Sequence, residues 1–214
     1  MLRKMEKKHI ITISGKPGSG KSSTADKVAE LLGYSRYSSG DMVRNLLSRE
    51  GLTLAEYNKQ AADDHSLDEK IDQMLRSLRG KKDIVIDSRL GFYWLPESFK
   101  VYLDLDIQVA TVRIFKDAMN NNMRTKAGEM ASSLDTVAKQ VQARMQNEQR
   151  RFKDMYGVDP YNSSNFDLVI DTSRHSPQTV ALTIFDTYRR WLKTTTWKKE
   201  TSAVPLGFSF KNDY

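Results

Sequence analysis

Ile10-Ile11-Thr12-Ile13-Ser14-Gly15-Lys16-Pro17-Gly18-Ser19-Gly20-Lys21-Ser22 is the stretch whose reading decides the fold. Residues 9–14 form an apolar, β-branched run that stops at glycine, the pattern of a buried strand. From Lys21 to Leu32 the apolar positions Val28, Leu31 and Leu32 and the stop at Gly33 predict a helix. Between them residues 15–22 match G-x-x-x-x-G-K-[ST], and the flanking strand and helix are the context that gives this motif its meaning. Its glycines let backbone amides turn in around phosphates, and the helix N-terminus adds the positive end of its dipole. Lys21 is placed to reach the transferred phosphate, and the Ser22 hydroxyl to bind Mg²⁺. Gly15, Lys16, Pro17, Gly18, Ser19, Gly20, Lys21, Ser22 and Ser23 are therefore the expected cradle for ATP or GTP.

Working outward, strands and helices alternate. A short strand at 34–37 precedes a helix over 41–48 that closes at Gly51. Thr53-Leu54-Ala55-Glu56 and Ser66-Leu67-Asp68-Glu69 both fit the capping box, and the second helix runs to about Leu78. Residues 83–87 and 100–105 read as buried strands, and 107–122 as a helix. The Asn-, Gly- and Ser-rich residues 120–133 suggest a mobile joint, followed by a long polar helix over 133–155. Residues 167–171 are the last predicted strand, and Ser176-Pro177 opens a final helix to about Leu192, with proline suited to a first turn. This order predicts a three-layer α/β fold, a five-stranded parallel sheet with helices on both faces. Residues 194–214 show no periodicity and are expected to be a loose or irregularly packed tail of unknown role.

A chain of 214 residues suits one domain with a small mobile insert. It contains no cysteine, which excludes disulfides, thiolate zinc sites and cysteine nucleophiles. The first apolar stretch is too short for a signal peptide or a membrane span, so we expect a soluble, cytoplasmic protein. The net charge of +7 fits either nucleic acid or a site built for phosphates. Arg3, Lys4, Lys7, Lys8 and the pair Lys198-Lys199 are isolated tufts that read as solvated surface, whereas several arginines fall at spacings that suit a small polyphosphate pocket.

Those arginines lie in three segments. Ser38-Ser39-Gly40-Asp41-Met42-Val43-Arg44 resembles the segment that lines the acceptor pocket of nucleoside monophosphate kinases. Arg44, one helical turn past its helix start, is positioned to clamp a phosphate bidentately, with Ser39 and Asp41 beside it. Asp87-Ser88-Arg89-Leu90-Gly91 ends the third strand, at the carboxyl edge where open α/β sheets bind ligands. It is similar to the D/E-x-R-L-A-G segment of the cytidylate kinase-like family, in particular its archaeal branch. Adenylate kinases carry glycine–phenylalanine–proline–arginine there, which this chain lacks. The resemblance implies that Arg89 binds the acceptor's phosphate. Asp87, at the strand's tip, is placed to hold a Mg²⁺-bound water.

Arg144, Glu148 and Arg151 are spaced four and then three residues apart, which puts them on one helical face. With Phe152-Lys153 and Tyr156-Gly157-Val158-Asp159 they resemble the family's lid-closing helix. That resemblance implies that the two arginines contact phosphates and the acid meets the acceptor's sugar; by themselves the three would read as a salt-bridged surface face. Residues 166–173 resemble the family's last strand and following loop, which implies that Thr172, Ser173 and Arg174 border the donor's adenine. The resemblance spans residues 10–192.

The expected function is ATP- and Mg²⁺-dependent phosphoryl transfer to a nucleoside monophosphate, with CMP or dCMP as acceptor, by a monomer that engages small nucleotides and neither membrane nor nucleic acid. The kinase domain is expected over 9–193, with an acceptor-binding insert at about 38–80 and a lid at about 117–155. The chemistry needs two anions brought into line and water excluded, and no general base, because the acceptor's oxygen is already anionic. In two places the chain departs from the family. Asp117 stands where this branch tends to have an arginine, leaving Lys116 or Arg124 as substitutes, and Leu90 stands where bacterial members have a cytosine-contacting acid. Two other readings stay open: a kinase of another nucleotide or metabolite on the same scaffold, and a P-loop ATPase module that binds RNA or protein.

Overall fold

The computed structural model describes residues 7–52, 66–120, 133–194 and 196–202. The central strand β1, Ile10–Gly15, is buried at every position. It lies between β3 (Ile84–Asp87) and β4 (Phe99–Asp104), and the strand order is β2-β3-β1-β4-β5-β6, with β2 at Ser35–Ser38, β5 at Leu168–Asp171 and β6 at Glu200–Ser202. Every pairing is parallel. A parallel sheet covered on both faces explains why its strands read as apolar runs.

Successive side chains divide between the two faces. Ile11 and Ile13 of β1, Val85 of β3, Phe99, Val101 and Leu103 of β4, and Leu168 and Ile170 of β5 face one core. That core is closed by α1 (Lys21–Leu32) and a C-terminal helix, Pro177–Lys193, through Val28, Val180, Ile184, Tyr188 and Trp191. On the opposite face Ile10, Ile84 and Ile86 pack with Ile71 and Leu75 of α3 (Ser66–Ser77) and with Met42 and Val43 of α2 (Ser39–Glu50). Farther along that face Phe92 of the short α4 (Gly91–Trp94) joins Tyr102, Phe152, Phe166 and Val169. Two more helices complete the order among the described residues: α5, Ile107–Asn120, and α6, Leu134–Tyr156, so that the C-terminal helix is α7.

Local chemistry sets the ends. The hydroxyls of Ser38, Ser133 and Ser176 accept from the backbone amides of Asp41, Thr136 and Thr179, capping α2, α6 and α7. The capping box at Thr53 lies outside the described residues. No helix among the described residues is long and apolar enough to cross a membrane.

Among the described residues the sheet has six strands, not five. Beyond α7 the chain returns along the sheet edge: the Trp197 indole donates to the Asp167 carbonyl at 3.2 Å, and β6 pairs with β5. Arg190 grips Glu200 through two 2.9 Å hydrogen bonds. A three-residue strand is too short to show an alternation, which is why its sequence carries no periodic signal. Part of the basic tufts is engaged in the fold as well. Lys8 pairs with Glu97 at 3.1 Å, and Lys199 donates to the Ser163 carbonyl at 2.6 Å.

Candidate active site

The loop between β1 and α1 is shaped by its glycines. Gly15 has φ +150°, and a Cβ there would lie 2.2 Å from the Leu103 carbonyl oxygen, so no side chain fits. Gly18, at φ +75°, packs against Ala110, and Gly20, at φ +78°, caps α1 without a side-chain hydrogen bond. The Lys16 amide donates to the Leu103 carbonyl at 3.2 Å, and its ammonium lies 2.7 Å from Asp104 Oδ1. The Ser19 hydroxyl is buried with no hydrogen-bond partner. An uncapped helix start beside an unsatisfied buried hydroxyl is what an anion-binding loop leaves for its ligand.

Lys21 folds back over this loop and donates to the carbonyls of Gly15 at 3.1 Å and Lys16 at 3.0 Å. Burial, followed by the neighbouring Arg89 guanidinium, pushes its pKa down to about 7. Arg89 stands just past β3, where Ser14 Oγ donates to its carbonyl at 3.3 Å and the Ser88 amide to the Ile13 carbonyl at 3.1 Å. Its Nη1 donates to the Gly15 carbonyl at 2.7 Å and its Nε to Glu148 Oε2 at 2.7 Å. Glu148 is buried and also receives Arg144 Nε at 2.9 Å and the Tyr161 hydroxyl. Burial works against ionisation of Glu148, but Arg89 and Arg144 outweigh it and hold the carboxyl well below its usual range. At the mouth of the loop, two guanidinium groups thus flank one carboxylate, with the Lys21 amine folded over the loop nearby. The surplus is positive and suits an anion.

On the other side of the loop the exposed Ser22 hydroxyl donates to Asp87 Oδ2 at 2.7 Å. The Ser39 hydroxyl donates to the Asp87 carbonyl at 3.4 Å, bringing the start of α2 to the end of β3. Asp41 pairs with Arg44 one turn later; burial opposes its ionisation, but Arg44 and then Arg36 draw its pKa below the usual value. Ser22 and Asp87 offer a hydroxyl and a carboxylate oxygen within reach of the loop, hard donors that suit Mg²⁺. Among the described residues no group of three His, Cys, Asp or Glu side chains suits a resident metal. The donor set fits a Mg²⁺ that keeps waters and phosphate oxygens as most of its ligands.

Lys21, Arg89, Arg144 and Glu148 thus come together directly, and Ser22, Ser39, Asp41, Arg44 and Asp87 form the adjoining group. Arg151 sits two turns beyond Arg144 with its Nε 3.4 Å from Asp68 Oδ2, tying α6 to α3. Behind the loop, Thr172 is buried with its hydroxyl on the Asp104 carbonyl at 3.0 Å, and Ser173 bonds Asp171. Ser23 and Arg174 are exposed. Arg113 donates to the carbonyls of Thr172 at 2.7 Å and Ser173 at 3.2 Å, so α5 fixes the backbone of that segment. Lys116 and Asp117 are exposed on α5, and Arg124 lies outside the described residues. Leu90 is 3% exposed in the aromatic cluster of Phe92, Tyr102 and Phe152, a place where a carboxylate would be costly.

Sequence reasoning missed Arg36, Tyr161 and the buried pair Asp68 and Asp72. Arg36 precedes Ser38 by two positions on β2, the same-face spacing of a strand, and that was the available signal. Nothing local marks Tyr161. Asp72 accepts from the Trp94 indole at 2.7 Å and from the Tyr156 hydroxyl, partners 22 and 84 residues away.

The profile of the cytidylate kinase-like family matches residues 10–174. The chain belongs to that family. Among the relatives of this cytidylate kinase-like chain, a cytidylate kinase of Halobacterium salinarum is 34% identical over 180 residues, 83% of this chain and 88% of the relative. A cytidylate kinase of Sulfurisphaera tokodaii is 37% identical over 175 residues, 80% of this chain and 91% of the relative. In fold, the family member is similar to shikimate kinase from Acinetobacter baumannii in complex with shikimate, with a TM-score of 0.58 at 14% identity. That match covers 89% of this chain and 97% of the other.

Proposed function

We propose that this protein transfers the γ-phosphoryl group of ATP to a nucleoside monophosphate, with CMP or dCMP as acceptor. The observation that carries the reading is the meeting of Lys21 and Arg89 on one atom, the Gly15 carbonyl oxygen. The loop lysine of a nucleotide cradle and the arginine of a family acceptor segment thereby border the same space. Membership of the cytidylate kinase-like family supports the acceptor class.

In this reading an oxygen of the acceptor's phosphate attacks the γ-phosphorus of ATP, and the bond to the ADP oxygen breaks. The protein's task is to hold two mutually repelling anions in line and to offset their charge. Residues 15–20 with Ser22 and Ser23 cradle the donor, and Lys21 reaches the transferred group. Arg89, with Arg44, Asp41 and Ser39, holds the acceptor's phosphate, while Arg144 and Arg151 arrive from α6. Glu148 orients Arg89 and Arg144; its expected contact with the acceptor's sugar requires one of these partners or Tyr161 to let go. Thr172 and Ser173 border the donor's base through backbone fixed by Arg113. Mg²⁺, held from Ser22 and Asp87, neutralises phosphate charge when bound. The acceptor insert at 38–80 and the lid at 117–155 close the site against water.

A coupled assay of ADP formation at fixed ATP and Mg²⁺, run across all ribo- and deoxyribonucleoside monophosphates, tests this. Fastest ADP formation with CMP or dCMP is the expected result. ADP formation that ignores every acceptor would overturn it.

A further inference from the structure

Arg36 touches three carboxylates from three elements. Its Nε lies 2.9 Å from Asp26 Oδ1 on α1, its Nη1 3.1 Å from Asp41 Oδ2 on α2, and its Nη2 3.5 Å from Asp87 Oδ2 at the end of β3. The Asp87 oxygen is the one that also accepts the Ser22 hydroxyl. The Asp87 side chain is 8% exposed and that of Arg36 23%, whereas Asp26 and Asp41 are far more open. Arg36 therefore sits behind the hydroxyl–carboxylate pair, on the side of the acceptor helix.

We propose that Arg36 is the internal counter-ion of the cation site. It is a positioning residue that competes with a divalent cation for Asp87 and, through Asp41, sets Arg44 in the acceptor clamp. The proposal rests on the reading that Ser22 and Asp87 hold the cation. The competition of Arg36 for Asp87 is relieved by movement of the guanidinium. Asp26 and Asp41 make that movement small: they retain Arg36 when Asp87 turns to a metal. The same contacts join the two halves of the site. Asp41 is shared between Arg36 and Arg44, so a change of charge at Asp87 reaches the acceptor arginine through three successive ion pairs.

Mn²⁺ titrated into the nucleotide-free full chain, with free ion read by electron paramagnetic resonance, tests the first half. Arg36→Met removes a cation 3.5 Å from the carboxylate and should tighten Mn²⁺ binding by about fivefold to tenfold. Arg36→Lys keeps the charge and should stay near wild type even where its melting temperature falls, which a merely structural role does not predict. In an Asp87→Asn background the gain should vanish. Calorimetry of CMP without ATP or metal tests the second half, and Arg36→Met should bind CMP severalfold more weakly. Should Arg36→Met fail to fold, Arg36→Gln is read in the same way. Unchanged or weaker Mn²⁺ binding by the folded variant, or a gain that survives Asp87→Asn, overturns the proposal. Tighter Mn²⁺ binding by Arg36→Met, together with a wild type that phosphorylates no nucleoside monophosphate, would remove the proposed function and leave Arg36 as assigned. Normal CMP phosphorylation with no Arg36 effect would do the reverse.

Discussion

Arg89 Nη1 donates to the carbonyl of Gly15 at 2.7 Å, so the arginine that follows β3 is braced against the first glycine of the loop that follows β1. These strands are neighbours in register, with Ile13 beside Asp87, and the sheet itself delivers both groups to its carboxyl edge. In the proposed reading, the donor-side and acceptor-side groups therefore share one rigid origin.

Gly15 is the position where that origin is least tolerant. A methyl group would meet the Leu103 carbonyl at 2.2 Å in a backbone conformation that suits glycine. Gly15→Ala should lose roughly 2–4 kcal/mol, a fall of some 5–15 °C in melting temperature. Thermal unfolding by circular dichroism checks this, and a shift below 2 °C would mean that the strand and loop separate easily.

Lys21 carries a pKa of about 7 because burial and Arg89 disfavour its charge. Above pH 7 the free protein holds Lys21 largely neutral, and an incoming polyphosphate restores the charge. Donor binding should then take up a proton, with the fraction rising from pH 6 to pH 8. Titration calorimetry in buffers of different ionisation enthalpy measures it. Binding that takes up no proton at pH 8 would contradict the assignment.

Glu148 is the buried carboxylate on which Arg89, Arg144 and Tyr161 converge. Glu148→Gln leaves two arginines without their partner and should cost roughly 3 kcal/mol, in line with broken buried pairs. The sign with pH follows from the depressed pKa. The stabilisation is complete above the ordinary carboxyl value of 4.5 and is lost progressively as pH falls below it. Denaturant titrations between pH 3 and pH 7 should show the wild-type advantage over Glu148→Gln shrinking toward the acid end. A constant gap would place the stabilisation elsewhere.

Trp197 ties the last strand to the sheet through its indole hydrogen bond and an edge contact with Phe99, at 6.1 Å between ring centroids. Trp197→Ala should cost about 2 kcal/mol through lost packing. It lies far from the loop mouth in the fold, so the Michaelis constants for both nucleotides should stay put while the melting temperature falls.

The core of this fold was legible because its signals are local. The β1 run, the glycine-rich loop and the stop at Gly33 specify strand, turn and helix within 24 residues of chain. The place of Arg89 at a strand end and the shared face of Arg144 and Glu148 were legible from local sequence, whereas the roles expected of them came from the family resemblance. Other features depend on long-range pairing. Nothing near Arg36 announces that Asp26, Asp41 and Asp87 will surround it, and nothing near Glu200 announces a sixth strand beside β5. Arg151 illustrates a middle case. Its helical face was predictable, but its ion pair with Asp68 depends on how α3 lies against α6.

The most direct test of the account is the dependence of ADP formation on CMP concentration in Arg89→Ala, compared with wild type and with Arg89→Lys, alongside ATP affinity measured without acceptor. Loss of a charged contact to the acceptor's phosphate should raise the CMP requirement about a hundredfold, equivalent to roughly 3 kcal/mol, while ATP affinity shifts far less. A CMP dependence that is unchanged in Arg89→Ala would mean that the acceptor is held elsewhere and that the meeting of Arg89 and Lys21 at Gly15 has no part in the reaction.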